Sequence, residues 1–373
     1  MRIAMLCSGH LVTDERVTHK QAVSLARDGH DVVVFGRGSG EPTVLSGVRL
    51  VPLAPPEGGL KQRAQMVPKL VRAAVEWKPD VVTCHEPESA LAGLRVRCRT
   101  GVPVIFDVHE LFHESLSWRM PRLVRPFVRY ASALLLRYVG RRVDWVTTIS
   151  PACQDFYLQI RGDDRVELIY NSPIMASFPP CRQDVQGPVT LVHDGFLDAG
   201  RGMAQMLEAL AMARREVDVR LLVVGKVRPD AQALFDEMLV SQGLRDAVEL
   251  PGWVVYDRVG ELLSRGQIGI VALQPAPNNY LGLSNKIYNY MCCAQPAIVP
   301  EGSATADLVR RVGCGLVVDT TRPAEIAQAI VTLAREPDLR RKLGANGRRA
   351  IEQEYGWHKM EERLRRIYAH LKA

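Results

Sequence analysis

Short runs of branched and aliphatic residues alternate along this chain with longer stretches in which apolar positions recur every three or four residues. The runs Arg2–Cys7, Asp31–Phe35, Asp80–Cys84, Pro103–Val108, Asp144–Ile149 and Val166–Tyr170 are apolar at successive rather than alternate positions, the pattern of strands covered on both faces. Between them lie amphipathic stretches such as Arg16–Arg27, with Thr13 or Asp14 as N-cap and Gly29 as the stop. The series breaks over residues 171–188, where Pro173, Pro179, Pro180, Gly187 and Pro188 do not suit regular elements. A second series follows, with strands expected at Val189–Val192, Val219–Val224, Ala247–Leu250, Ile268–Leu273, Pro296–Val299 and Gly315–Val318. Helices are expected at Met203–Arg215, Asp230–Gln242, Asp257–Arg265, Asn285–Cys293, Ala304–Val312 and Pro323–Arg335.

Strand–helix–strand alternation of this kind builds parallel sheets with crossover helices. The expected fold class is therefore α/β: two Rossmann-like, doubly wound domains. Their expected limits are residues 1–171 and 189–355, with a linker over 172–188. Residues 356–373, containing the basic amphipathic helix Trp357–Leu371, are expected to pack back on the first domain. Ligands of such sheets bind beyond the carboxyl ends of the strands, so the two domains are expected to face a central cleft, with one substrate on each.

Composition narrows the class. A chain of 373 residues exceeds one compact core, and 47% hydrophobic with 24% charged residues is ordinary for a soluble protein. No stretch reaches the roughly 18 uncharged apolar residues of a membrane span, and the first apolar run is too short for a secretory signal. Eight cysteines without a C-x-x-C pair read as reduced thiols and point to the cytoplasm. The net charge of +7 is uneven: Lys61–Arg142 holds 15 basic and 7 acidic residues, and the remainder of the chain carries −1. Such a field favours an anionic partner. Arg122, Arg125 and Arg129 lie on one broad helical face among apolar residues and are expected to offer peripheral contact to an anionic membrane, at its inner face. Nucleic acid is disfavoured, since no aromatic-interleaved platform accompanies the charge.

Three stretches carry candidate chemistry. Ser8-Gly9-His10 follows the first strand as a turn in which Gly9 can let a ligand approach the amides. Gly195 ends the first strand of the second series, and Arg201-Gly202 stands before a helix, where a guanidinium suits a diphosphate. Ser284 or Asn285 can cap the helix that carries Lys286, and Asn289 lies one turn further on the same face. His109-Glu110-Leu111-Phe112-His113 spells a zinc-protease motif, but that motif needs both histidines one turn apart in a helix, whereas His109 follows directly on a strand. No metal site is expected.

The run Leu283-Ser284-Asn285-Lys286-Ile287-Tyr288-Asn289-Tyr290-Met291 resembles the donor-site helix of the family 4 retaining glycosyltransferases with the GT-B fold, whose signature is N-K-x-(F/Y)-E-Y-M. D-E-R-V-T-H-K-Q-A-V, F-D-V-H-E-L-F, the Gly195 to Arg201-Gly202 turn, V-E-L-P-G-W-V and the closing Y-G-W fall in the family's order, so that the resemblance covers nearly the whole chain. It implies metal-independent transfer from a nucleotide-sugar donor, without a cofactor, to an acceptor sugar, glycolipid or natural product. It also implies catalytic roles for His109, Arg201 and Lys286. Donor contacts fall to Gly9, Gly195, Arg201, Ser284, Asn285, Lys286 and Asn289, and acceptor-side positions to His10, Arg16, His85 and Glu110. Three positions depart from the pattern. Asn289 replaces a ribose-binding Glu, Leu281 occupies the companion Glu position, and Phe196 stands where a second Arg is common. A sugar-nucleotide epimerase and a binding-only relative share the architecture.

Overall fold

The computed structural model describes residues 1–54 and 59–372. They form two compact units, Met1–Asn171 with Met360–Ala373, and Ser172–Lys359.

The first unit is built on eight strands: β1 (Arg2–Leu11), β2 (Asp31–Arg37), β3 (Thr43–Leu45), β4 (Val48–Ala54), β5 (Val81–Cys84), β6 (Val104–Val108), β7 (Trp145–Thr148) and β8 (Val166–Leu168). Their order is β3-β4-β2-β1-β5-β6-β7-β8, parallel except for β3. Ala4, Val33, Val82, Phe106 and Val146 on the strands pack against Leu70, Val96, Leu136 and Val139 on the covering helices. Ile3, Met5, Val32, Val34 and Val81, on the alternate face, are buried as well, the double coverage that the consecutive apolar runs require. The β3–β4 hairpin lies outside the expected series. It turns through Ser46 and Gly47, both at positive φ (48° and 85°), the geometry of a tight two-residue hairpin loop.

Two local expectations change. The turn expected at Ser8–His10 is strand, since β1 runs on to Leu11 with a register shift against β2 after Leu6. The helix expected over Arg16–Arg27 begins at Glu15 and is π-wound through Ala22 before becoming α-helical over Val23–Arg27. Asp14 caps it, Oδ1 accepting from Val17 N at 3.0 Å.

The second unit carries β9 (Val189–Asp194), β10 (Val219–Val224), β11 (Val248–Glu249), β12 (Ile268–Ile270), β13 (Ala297–Pro300) and β14 (Gly315–Val318). They are ordered β11-β10-β9-β12-β13-β14 and all pair in parallel. The strand order reverses between β9 and β12 here, and between β1 and β5 in the first unit, which marks where each sheet opens for a ligand. The proline-rich segment read as a linker lies on the second unit. Phe178 is fully buried, a Cβ on Gly260 would meet Ser177 O at 1.9 Å, and Cys181 N donates to Cys293 O at 2.8 Å.

The last helix, Trp357–Lys372, joins the first unit with its C-terminal part. Tyr368 is buried with its hydroxyl 2.6 Å from Thr83 Oγ1, and Arg363 donates to Leu168 O at 2.7 Å. Tyr368→Phe is expected to cost ~1 kcal/mol in urea unfolding by leaving the Thr83 hydroxyl without its partner. Tyr368→Ala is expected to cost ~3–5 kcal/mol, the range of a large aromatic lost from a core.

Candidate functional site

In the first unit the carboxyl ends of β1, β5 and β6 bring His10, His85 and His109 together beside Asp107. Asp107 is fully buried at the end of β6 and takes hydrogen bonds from several elements at once. Arg16 meets it twice, Nη2 to Oδ1 at 2.7 Å and Nε to Oδ2 at 3.0 Å, and Gln21 Nε2 donates to Oδ2 at 2.8 Å. Arg16 and Gln21 are five residues apart, a spacing that the π-wound turn places on one face and an α-helix would separate. Thr147 Oγ1 from β7 donates to Oδ1 at 2.7 Å. Burial works to raise the Asp107 carboxyl, but the Arg16 charge and the histidine contacts hold it well below its usual value.

His109 Nε2 lies 2.8 Å from Asp107 Oδ2, and His85 Nδ1 lies 3.2 Å from the same oxygen. A carboxylate only accepts, so His109 carries its proton on Nε2 and leaves Nδ1 as a lone pair. Burial, with the nearby positive charges of His10 and Arg16, pushes the His109 pKa down to about 4 against the pull of Asp107, and the ring is neutral near pH 7. His10 is its counterpart, with ring centroids 4.5 Å apart. Burial opposes protonation of His10, but the 3.0 Å contact with Asp14 Oδ2 and the charges of Glu86 and Asp14 raise its pKa to about 9. The first unit thus sets a cationic donor beside a neutral acceptor.

Glu86 organises the loop end of β1. Its carboxylate accepts from the amides of Ser8, Gly9 and His10, each at 2.8 Å. The amides expected to be open to a ligand at Gly9 are therefore occupied by a protein carboxylate. A Cβ at Gly9 would stand 3.0 Å from Arg63 Nε and 3.3 Å from Glu86 Oε1, so internal packing accounts for the glycine. Glu110 follows His109 in the chain. With Arg63, Phe112, Leu116 and Leu135 it lines an apolar pocket of about 170 Å³.

The zinc-protease spelling dissolves in the fold. His113 sits on the helix Phe112–Trp118, which His109 precedes, and it stacks on Phe156 at 4.6 Å. His85, Asp107 and His109 do come within reach of one ion, but Arg16, Gln21 and Thr147 already occupy both oxygens of Asp107. A guanidinium stands where a cation's charge would otherwise be needed.

In the second unit the site gathers at the end of β9. Gly195 takes φ 92°, and a Cβ there would lie 3.7 Å from Lys286 Nζ. The Lys286 side chain makes no hydrogen bond or salt bridge among the described residues. Burial lowers its pKa, while Asp194 pulls it upward. Arg201 is held by Asp198, which also accepts from Arg228 Nε at 3.1 Å. Close backbone approach fixes the two flanking glycines: a Cβ on Gly202 would meet Ala272 O, and one on Gly225 would meet Gly195 O, each at 2.0 Å. Ser284 stands at the N-cap of the helix Asn285–Cys292 without a side-chain cap bond, its amide donating to Thr305 Oγ1 at 3.2 Å. Asn285 is exposed.

The departures have structural partners. Asn289 Nδ2 donates to Asp194 Oδ2 at 2.7 Å, so a carboxylate is present beside position 289, supplied by the strand. Phe196 packs on Trp253 at 5.7 Å between ring centroids, and the Arg228 guanidinium lies 4.9 Å over the Phe196 ring. A second guanidinium thus reaches this place from the far end of β10. Leu281 is exposed. The sequence does not single out Asp107, Asp194 or Arg228. The F-D-V-H-E motif contains Asp107, and H-E-P-E contains Glu86 at a strand end. No local pattern marks Arg228.

The chain's fold is also that of known proteins. It aligns with sucrose-phosphate synthase from Thermosynechococcus elongatus at a TM-score of 0.80 and 19% identity, over 100% of this chain and 99% of that one. Anabaena HepE in complex with UDP aligns at 0.76 and 17% identity, over 99% and 100%. The two units are those of the GT-B glycosyltransferases. Residues 15–172 match the model of Glycosyltransferase Family 4, and residues 188–336 match that of Glycosyl transferases group 1. Each unit of the chain thus carries a glycosyltransferase match, the first to Family 4 and the second to group 1. One relative, the MMP alpha-(1->4)-mannosyltransferase of Mycolicibacterium hassiacum, is 22% identical over 80% of this chain and 73% of its own length.

The two charge-perturbed groups of the β1 loop give a paired test. Glu86→Gln removes the negative charge that helps keep His10 protonated and turns an amide N–H₂ toward backbone N–H groups. The His10 pKa is expected to fall from about 9, read by NMR titration of its ring protons, with a stability loss of ~1–3 kcal/mol per unpaired donor. In the wild type, the folded pKa of His10 lies above its ordinary 6.5. Its stabilising contribution is therefore complete below pH 6.5 and is lost as the pH rises through about 9. Urea unfolding across that window should show a decline that His10→Gln lacks.

Proposed function

We propose that this protein transfers a glycosyl group from a nucleoside-diphosphate sugar to an acceptor hydroxyl with retention of anomeric configuration. The second unit binds the donor and the first binds the acceptor. The observation that carries the reading is Lys286, whose ammonium faces the positive-φ Gly195 and makes no hydrogen bond or salt bridge among the described residues, with Arg201 and Arg228 close by. Preformed positive charge at a strand end is what a departing diphosphate needs, since negative charge accumulates on its bridging oxygen as the glycosidic bond breaks. A fold neighbour solved with UDP supports a nucleoside diphosphate as the ligand.

In this reading the bond from the anomeric carbon to the phosphate oxygen breaks, and the acceptor oxygen bonds to the same face of that carbon. The acceptor proton passes to the leaving phosphate, so no side chain is needed as nucleophile or base. Lys286 and Arg201 stabilise the leaving group. His109, neutral with its lone pair on Nδ1, accepts a hydroxyl of the transferred sugar and orients it. Asp194, steered by Asn289, offers the carboxylate oxygen that the family's helix supplies through Glu, in reach of ribose hydroxyls. That substitution favours an active donor site over a binding-only relative.

A thermal-shift screen against uridine, guanosine and adenosine diphosphates checks the donor site. A matching nucleotide at 100 times its Kd should stabilise the wild type by ~2.7 kcal/mol. Lys286→Ala should weaken binding on the order of ten- to a hundredfold, the loss of one charged hydrogen bond, with unfolding in the absence of nucleotide little changed. The donor assignment fails if no diphosphate shifts the wild type, or if Lys286→Ala binds equally well. Retention is checked separately, by NMR assignment of the product anomer.

A further inference from the structure

Between Trp118 and Arg142 the chain holds seven arginines and no acidic residue. The same segment contains seven of the eighteen large hydrophobic side chains exposed among the described residues. They are not scattered. Leu123, just ahead of the helix Arg125–Gly140, is 97% exposed, and on the helix Phe127 is 74%, Tyr130 65%, Leu134 46% and Tyr138 47% exposed. Their spacing of four, three, four and four residues aligns them as one stripe along the helix. The opposite side of the helix is already used, with Leu136 and Val139 in the core. The stripe is therefore a second apolar face, additional to the one that folding consumes.

The arginines divide by role. Arg125 lies 4.4 Å over the Trp118 ring and donates to Met120 O, and Arg129 pairs with Glu114. Of the three expected from sequence to meet a membrane, two are thus engaged within the fold. Arg119, Arg122 and Arg137 are exposed, and their side chains make no hydrogen bond or salt bridge among the described residues. These three are the cations that flank the stripe.

We propose that this face docks on an anionic lipid bilayer, with Leu123, Phe127, Tyr130 and Leu134 entering the boundary between headgroups and acyl chains while Arg119, Arg122 and Arg137 meet lipid phosphates. Aromatic and aliphatic groups collared by arginine fit that boundary on both counts. A second copy of the chain does not fit. It would set seven arginines against seven with no acidic residue from either side, a juxtaposition that like-charge repulsion opposes. The apolar pocket of about 170 Å³ shares Arg119, Met120, Ser132 and Leu135 with this segment, and so gives an apolar chain from the bilayer a place to enter. The proposal stands independently of the donor-site reading, because it involves none of the donor residues.

The test is co-sedimentation of the full-length protein with vesicles of phosphatidylcholine alone and of phosphatidylcholine mixed with phosphatidylglycerol. The protein should pellet with the mixed vesicles and not with phosphatidylcholine alone. Raised salt should weaken this retention without abolishing it, because the apolar contribution is unscreened. Leu123→Ser with Phe127→Ser should weaken retention at least tenfold, and Arg122→Ser about fivefold, corresponding to ~1 kcal/mol per arginine near an anionic surface. Leu234→Ser, an exposed leucine of the other unit, should change nothing. All variants lie on the surface, and unchanged thermal unfolding verifies their folding. The proposal is overturned if the wild type stays in the supernatant with mixed vesicles, or if the double serine variant pellets like the wild type. It is equally overturned if sedimentation equilibrium shows a dimer that the double variant dissolves, which would make a second copy the occupant.

Discussion

A fully buried carboxylate at the end of β6 organises the first unit. Asp107 has lost its water, and a charge in that position is tolerated only if its lone pairs are filled. The sequence fills them from four places: the π-wound turn after β1, the ends of β5 and β6, and the middle of β7. Each donor is thereby fixed relative to the others. The π winding has a physical reason in this light, since it turns Arg16 and Gln21 to the same acceptor. The tautomer of His109 follows from the same contact. At the end of β1, Glu86 accepts from three backbone amides as Asp107 accepts from its donors, and, with Asp14 in the larger part, it keeps His10 charged.

The two units handle charge in opposite ways. In the first, the polar groups at the strand ends are largely spent on one another, leaving a rigid constellation whose protonation states are set in advance. In the second, Lys286 makes no hydrogen bond or salt bridge among the described residues, Arg201 and Arg228 share the single carboxylate of Asp198, and the helix at Asn285 begins without a side-chain cap. An arrangement with more positive than negative groups costs stability until an anion arrives, and that cost is recovered in affinity for the anion. The glycines at 202 and 225 permit the crowding, because the backbone passes closer there than any side chain allows, and Gly195 supplies a positive φ.

Most of the sheet framework is legible in the sequence, because strands buried on both faces must be apolar at every position, and such runs stand out between amphipathic helices. The β3–β4 hairpin does not stand out: β3 is three residues long and largely exposed, too short for the β-branched Thr43 and Val44 to mark it as a strand. The π turn is invisible for another reason. Its winding is dictated by Asp107, ninety residues away, and no local propensity encodes that. Motif reading singles out the histidines, Arg201 and Lys286, whose chemistry is written in their own side chains. It does not show contacts made across the fold, such as Glu86 on the β1 amides and Arg228 over Phe196. Asn289 read alone is a lost carboxylate; in the fold it donates to the carboxylate of Asp194, which the sequence pattern does not mark.

The first unit is not contiguous in the chain. Its closing piece, Met360–Ala373, is separated from the rest by the whole of Ser172–Lys359. On a ribosome, residues 1–171 emerge long before the helix that covers Thr83 and the edge at Leu168. At ordinary synthesis rates of about 5–20 residues per second, the wait is roughly ten to forty seconds. During that time the first sheet is formed but incompletely covered, while the second unit, continuous in sequence, can fold as it appears. The order of birth is thus the reverse of the order of completion, and the last helix acts as a late seal on the oldest part of the molecule.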